Sequence, residues 1–132
     1  MNDALQELRS AVEQAAAGLG GETKAPPTLE RPKHADHGDY ATNAAMLLTK
    51  SLKRPPREIA ADLSAALAER LGDGLDRVEI AGPGFLNLVL SDGWHADALA
   101  GVAEAAAGWG RSVASPPRNV NVEFVSANPT GP

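Results

Sequence analysis

The sequence predicts an α+β domain, a mainly antiparallel sheet of about four strands with helices packed on one face. Three observations carry this. Apolar residues recur at helical spacing in several separate stretches, two neighbouring stretches alternate with period two across a glycine-rich turn, and the helical stretches are grouped between the strand-like ones.

Taken in order, Leu5, Leu8, Val12 and Leu19, filled in by Ala15 and Ala16, mark an amphipathic first helix closed by Gly18, Gly20 and Gly21. A short extended segment, Thr28–Arg31, follows Pro26-Pro27. Gly38-Asp39-Tyr40 reads as a turn whose Asp39 caps a helix carrying Ala41, Ala44, Ala45, Leu48 and Leu52. Pro55-Pro56 ends that helix and opens the next, with Ile59, Leu63, Leu67 and Leu71 inward and Gly72 as the stop. The period then becomes two. Val78 and Ile80 alternate with Arg77 and Glu79. After Gly82-Pro83-Gly84, Leu86, Leu88 and Leu90 alternate with Phe85, Asn87 and Val89, which gives a hairpin. Ser91 or Asp92 caps a fourth helix through Trp94, Ala98, Leu99, Val102 and Ala105, ending at Gly108-Trp109-Gly110. Val120, Val122 and Phe124 alternate with Asn121 and Glu123 in a last strand. The helices are expected to cover one sheet face and leave the other partly open.

Composition limits what such a domain does. The 132 residues suffice for a single core, and 43% apolar with 22% charged residues is an ordinary globular balance. Aromatics are only 4%, so the core has to come from Leu, Val, Ile and Ala, and an exposed ring needs a reason. The absence of cysteine excludes disulfides, thiolate–zinc sites and thiol catalysis. Met1-Asn2-Asp3 carry no basic n-region, so no secretory signal is expected. The charge-free stretch Ile80 to Ser91 is too short, and too broken by Gly82, Pro83 and Gly84, to span a bilayer. A cytoplasmic protein without membrane contact is expected.

The net charge of -5 argues against a strongly basic nucleic-acid binder, but it is unevenly spread. Residues 30–57 hold six bases (Arg31, Lys33, Lys50, Lys53, Arg54, Arg57) against three acids, whereas residues 58–104 hold two bases against nine acids. A small basic region on an acidic body can meet a phosphate backbone, and Lys53 and Arg54 are its candidates. A solvated helix end explains the same charges.

The end of the chain is the most specific stretch: Val122-Glu123-Phe124-Val125-Ser126-Ala127-Asn128-Pro129-Thr130-Gly131-Pro132. It resembles the segment by which arginine–tRNA ligases enter their catalytic domain, where a strand with Glu-Phe-x-Ser-x-Asn spacing runs into the class I His-Ile-Gly-His motif. Gly38-Asp39-Tyr40-Ala41-Thr42-Asn43 and Ala81-Gly82-Pro83-Gly84-Phe85-Leu86-Asn87 resemble the N-terminal domain of the same family, in the family's order. The resemblance divides the chain into a tRNA D-loop recognition domain over 1–118 and the first strand of the catalytic domain over 119–132. It implies a parent that joins arginine to tRNA(Arg) through an arginyl-adenylate, using ATP and Mg²⁺. It also implies that Glu123, Ser126 and Asn128 contact substrate arginine, and that Asn128, Pro129, Thr130, Gly131 and Pro132 open the ATP-site motif. Arginine presents only donors at its guanidinium and α-ammonium ends, which suits carboxylate and carbonyl acceptors. An ordinary solvated strand residue is the alternative for Glu123.

Phe85 and Asn87 are the candidate tRNA readers. Their two-residue spacing puts both on the strand face opposite Leu86, Leu88 and Leu90. A ring and an amide side by side form a minimal device for a splayed base, one stacking and the other bonding its edge. The resemblance implies that use on an unpaired D-loop base. Without it, Phe85 filling a core edge and Asn87 satisfying the turn explain the pair as well. Asp39 and Tyr40 are explained by capping and packing, and Trp94 and Trp109 by core or edge packing. His95 is expected to face solvent. His34 and His37 lie in a polar loop with Asp36, where nothing fixes a metal geometry, and no metal site is assigned.

Two other functions fit the same residues: a free-standing RNA-binding module, and a protein-interaction domain that uses the open sheet face. Neither histidine-motif ATP ligands nor a Lys-Met-Ser-Lys loop occurs in the 132 residues, so the chain reads as a fragment or natural truncation that binds neither ATP nor Mg²⁺. By itself it is expected to show no arginine-dependent ATP–pyrophosphate exchange, with or without tRNA. Measurable exchange from a clean preparation would overturn that expectation.

Overall fold

A computed structural model describes residues 3–111 and 116–123. The first apolar stripe forms helix α1 (Ala4–Gly18), started by Asp3, whose carboxylate accepts the Leu5 N–H at 3.0 Å. Such a cap satisfies one of the donors that a helix start leaves open. Leu8, Val12, Ala15 and Ala16 are buried along its inner side.

Asp39 departs from the expected helix cap. Its Oδ2 accepts the Leu90 N–H at 2.8 Å, and its own N–H donates to the Leu88 carbonyl at 2.8 Å. The backbone is thereby drawn into the sheet, and Tyr40–Thr42 form strand β1 rather than a turn and first helical residues. Helix begins only at α2 (Ala44–Leu47), where Thr42 Oγ1 accepts the Ala44 N–H at 3.3 Å. Asn43, at the cap position, instead accepts the Thr28 N–H at 2.9 Å and holds the preceding loop. The expected single helix breaks at Leu48 into α2 and α3 (Thr49–Leu52). The Thr49 hydroxyl donates to the Met46 carbonyl at 2.8 Å, and that of Ser51 to Leu48 at 3.3 Å. Side-chain bonds of this kind compete with the helical ladder.

Helix α4 (Pro56–Leu71) follows expectation, with Pro56 in its first turn, Ile59, Leu63 and Leu67 buried, and Gly72 at its end. Strands β2 (Leu75–Ala81) and β3 (Phe85–Leu90) form the predicted hairpin. The sheet is antiparallel with order β1-β3-β2, so β3 is central.

The described residues form three strands, not about four. Thr28–Arg31 contributes only a bridge between Glu30 and Ala41. Over 120–123 the expected last strand is absent, and Val120 and Val122 are exposed. Alternation makes a strand only where a neighbour pairs with it and buries one side, and no described strand does so here. Phe124 lies outside the described residues.

Leu86, Leu88 and Leu90 meet Leu8, Val12, Leu48, Ile59, Leu63 and Leu67 in one core, covered by α1, α2 and α4 on one face of the sheet. Helix α5 (Asp92–Ala105) is capped by Ser91, whose Oγ accepts the Trp94 N–H at 3.1 Å. Trp94 packs edge-to-face on Tyr40. Otherwise α5 stays outside the core: none of its residues is buried and Leu99 is 69% exposed, although Ala98, Leu99, Val102 and Ala105 form an apolar stripe. Alanine makes up much of that stripe and offers little apolar area to drive docking. Among the described residues no helix is long and apolar enough to cross a membrane.

Candidate nucleic-acid interface

Strand register decides what stands on the open side of the sheet. Ala81 lies opposite Phe85, while Ala41 and Glu79 flank Asn87 from the two neighbouring strands. Directly paired residues share a face. Phe85, Asn87, Ala41, Ala81 and Glu79 therefore stand together, away from the leucines of the core.

The hairpin turn fixes where this row starts. Gly84 has φ 141°, and a Cβ there would come within 2.9 Å of Pro56, so only glycine fits so close to α4. Arg57 Nη1 donates to the Gly82 carbonyl at 2.6 Å, which ties the first turn of α4 to the hairpin beside Phe85. At the other end of β3, Asp39 holds the Leu90 N–H and its Oδ1 lies 3.6 Å from His95 Nε2.

Phe85 and Asn87 differ in depth. The ring is 40% exposed, whereas Asn87 is only 7% exposed, deeper than two side chains projecting from an open sheet. The cause is the loop before β1. Pro32, Lys33, His34 and His37 come over the sheet and, with Ala41, Ala81, Phe85 and Asn87, line an open cavity of about 390 Å³. That volume is within the range for pockets that hold small molecules, roughly 300–1,000 Å³. No side-chain hydrogen bond among the described residues engages the Asn87 amide, yet no fully enclosed side-chain polar atom lacks a partner. The amide therefore opens into the cavity, with two donors and a carbonyl to offer.

A ring at the rim and an unengaged amide inside suit a planar ligand with a hydrogen-bonding edge. The family model described as "Arginyl tRNA synthetase N terminal domain" matches residues 6–90, from α1 through the end of the sheet. The chain belongs to the arginyl tRNA synthetase N-terminal domain family. It is 52% identical over 104 residues to the arginine–tRNA ligase of Rhodopseudomonas palustris strain HaA2, covering 79% of this chain and 17% of that protein. It is 44% identical over 128 residues to that of Azorhizobium caulinodans, covering 92% and 22%. It is 43% identical over 135 residues to that of Kineococcus radiotolerans, covering 96% and 24%. The chain thus spans about a quarter or less of the length of these curated relatives.

In this arginyl tRNA synthetase N-terminal domain, Lys53 and Arg54 stand apart from the cavity. Lys53 is exposed and ends α3 in the left-handed region at φ 52°. Arg54 Nη1 lies 2.6 Å from Asp62 Oδ2, and its Nε 3.7 Å from Glu58 Oε2. Bonding to Asp62 raises the Arg54 pKa further above its ordinary value, so the guanidinium stays charged, but two carboxylates offset that charge locally. Both residues precede the α4 turn that braces the hairpin.

Glu123 is exposed and lies in no strand. Ser126, Asn128, Pro129, Thr130, Gly131 and Pro132 lie outside the described residues. Among the described residues no three His, Cys, Asp or Glu side chains cluster as a metal site, and none forms a glycine-rich phosphate cradle. His34 and His37 meet each other edge-to-face, with ring centroids 5.5 Å apart.

The sequence marked Phe85 and Asn87 but not the loop residues that complete their cavity. The basic excess of residues 30–57 was visible. Which of its members return to β3 depends on the Glu30–Ala41 bridge and the Asn43–Thr28 bond, neither of which leaves a periodic trace.

Proposed function

We propose that this domain grips the elbow of tRNA(Arg) by seating an unpaired D-loop base against Phe85 and reading its edge with Asn87. The observation that carries this is the Asn87 amide, nearly buried yet open to a cavity with an exposed ring at its rim. An edge-reading group works best when shielded from water, because the wrong base then leaves it unpaired. Lys53 and Arg54, near the braced hairpin, contribute phosphate contacts that carry no base identity. Residues 1–118 form the elbow-binding unit, and residues 119–132 lead into the catalytic domain of a cytoplasmic ligase. In that ligase Glu123, Ser126 and Asn128 contact arginine, Asn128–Pro132 begin the ATP site, and arginine passes through an adenylate to the tRNA with ATP and Mg²⁺. The names of the relatives and the family match support this reading.

The test is binding of tRNA(Arg) transcripts that differ at single D-loop positions. Asn87→Ala should lose about 1 kcal/mol with the preferred transcript and relax discrimination at one position. Discrimination equal to that of the unmodified protein, with the fold verified by circular dichroism, would remove the base-reading role.

A further inference from the structure

We propose that the loop from Pro32 to His37 is the phosphate-binding wall of this cavity, with Lys33, His34 and His37 holding the backbone of the nucleotide whose base lies on Phe85. The inference rests on the tRNA reading and adds to it the part of the ligand that the sheet does not touch.

The charge pattern is the first argument. The chain carries a net charge of -5, yet no carboxylate lines the cavity, and its basic and imidazole side chains all come from one wall. Asp36 lies in the loop itself, exposed and outside the cavity lining, and two other nearby acids are engaged elsewhere. Glu79, beside Asn87 on the open face, bonds Arg77 Nε at 2.9 Å. Asp39, two residues after His37, is occupied by the Leu90 N–H. The lining itself therefore offers an anion donors and no carboxylate.

Chemistry and shape give the second argument. Lys33 supplies an ammonium, and each imidazole supplies an N–H donor whether neutral or protonated. The two rings stand nearly perpendicular, at 73°, so their edges point in different directions and can serve more than one phosphate oxygen. The opposite wall, Phe85 with Ala81 and Ala41, is apolar and suits a base. One face for the ring system and one for the backbone is the division a nucleotide requires. The loop is held in place by the Glu30–Ala41 bridge and by the His37 N–H donating to the His34 carbonyl at 3.1 Å.

The experiment uses the 132-residue chain and fluorescently labelled tRNA(Arg) transcripts, with affinity read by anisotropy across a salt series. Lys33→Gln, and separately the double change His34→Gln with His37→Gln, should weaken binding roughly three- to tenfold. The loss should be equal for the preferred transcript and for D-loop-substituted ones, and Lys33→Gln should flatten the log–log salt slope by about one. Lys33→Arg should retain the unmodified affinity and slope. Binding and base discrimination that persist unchanged in all these variants would overturn the phosphate wall and leave the base-reading role standing. Loss of discrimination in the loop variants, with affinity otherwise kept, would also overturn it by assigning the loop to base recognition. An unmodified chain that binds no tRNA would instead sink the reading on which the proposal rests.

Discussion

Phe85→Ala is expected to weaken tRNA binding by about 1–3 kcal/mol, roughly 5- to 150-fold, while leaving the fold intact. The ring is 40% exposed and stands outside the core, so its removal should change unfolding stability by no more than about 0.5 kcal/mol, as for other surface positions. The neighbouring Leu86→Ala should do the reverse. Leu86 is fully buried among the helices, and truncation there costs about 2–5 kcal/mol of stability through lost burial and the cavity left behind. Urea unfolding and tRNA titration of the two variants measure both quantities on adjacent residues. If Phe85→Ala unfolds the protein, or binds tRNA normally, the ring is a packing group and the interface lies elsewhere.

Carried in a full-length arginine–tRNA ligase, Glu123→Gln is expected to cost about 1.5–3 kcal/mol in kcat/KM for arginine. The change keeps the shape and removes the charge that a guanidinium or ammonium needs. In the chain described here Glu123 is exposed and unpaired in any sheet, so the substitution should leave the stability of this domain unchanged. That separates the two roles open to the residue. Unchanged arginine kinetics in the full-length enzyme would make Glu123 an ordinary solvated side chain.

Much of the fold was legible because the core is built from leucines at regular intervals. The stripe of α4 names Ile59, Leu63 and Leu67 correctly, though Leu71 is only half-buried and buried Ala60 was not named. The alternation through β3 names Leu86, Leu88 and Leu90 but not buried Asn87, and the proline and glycine signals place both ends of α4. At the start of the sheet, a long-range polar contact overrode a local preference. Asp39 looked like a cap because it precedes alanines, but the Leu90 amide, far along the chain, uses its carboxylate. Once Asp39 joins β3, Tyr40–Thr42 have to be strand. The same limit hid the cavity. Spacing put Phe85 and Asn87 on one face, but it carried no information about the loop that buries one and leaves the other at the rim. At 120–123 the error ran the other way, since a strand pattern was present without a strand to pair with.

The central position of β3 sets how the recognition surface behaves in time. Because β3 pairs with β2 along its length and with β1 over Leu86–Leu88, and Asp39 holds the Leu90 N–H, its amides exchange only when these partners separate, and they are expected to be among the slowest in the domain. The floor of the cavity is therefore pre-formed, and in the proposed tRNA complex the ring and the amide would need no ordering on arrival. The opposite wall lies outside the sheet, held by the Glu30–Ala41 bridge, the His34–His37 turn and the Asp39 bonds just after it, so adjustment to an incoming nucleotide is expected to fall on the loop. A substitution in the core beneath β3, such as at Leu88, will then register as a tRNA defect without touching RNA. Its signature will be faster amide exchange along β3 and a binding entropy made more unfavourable, with base preference unchanged.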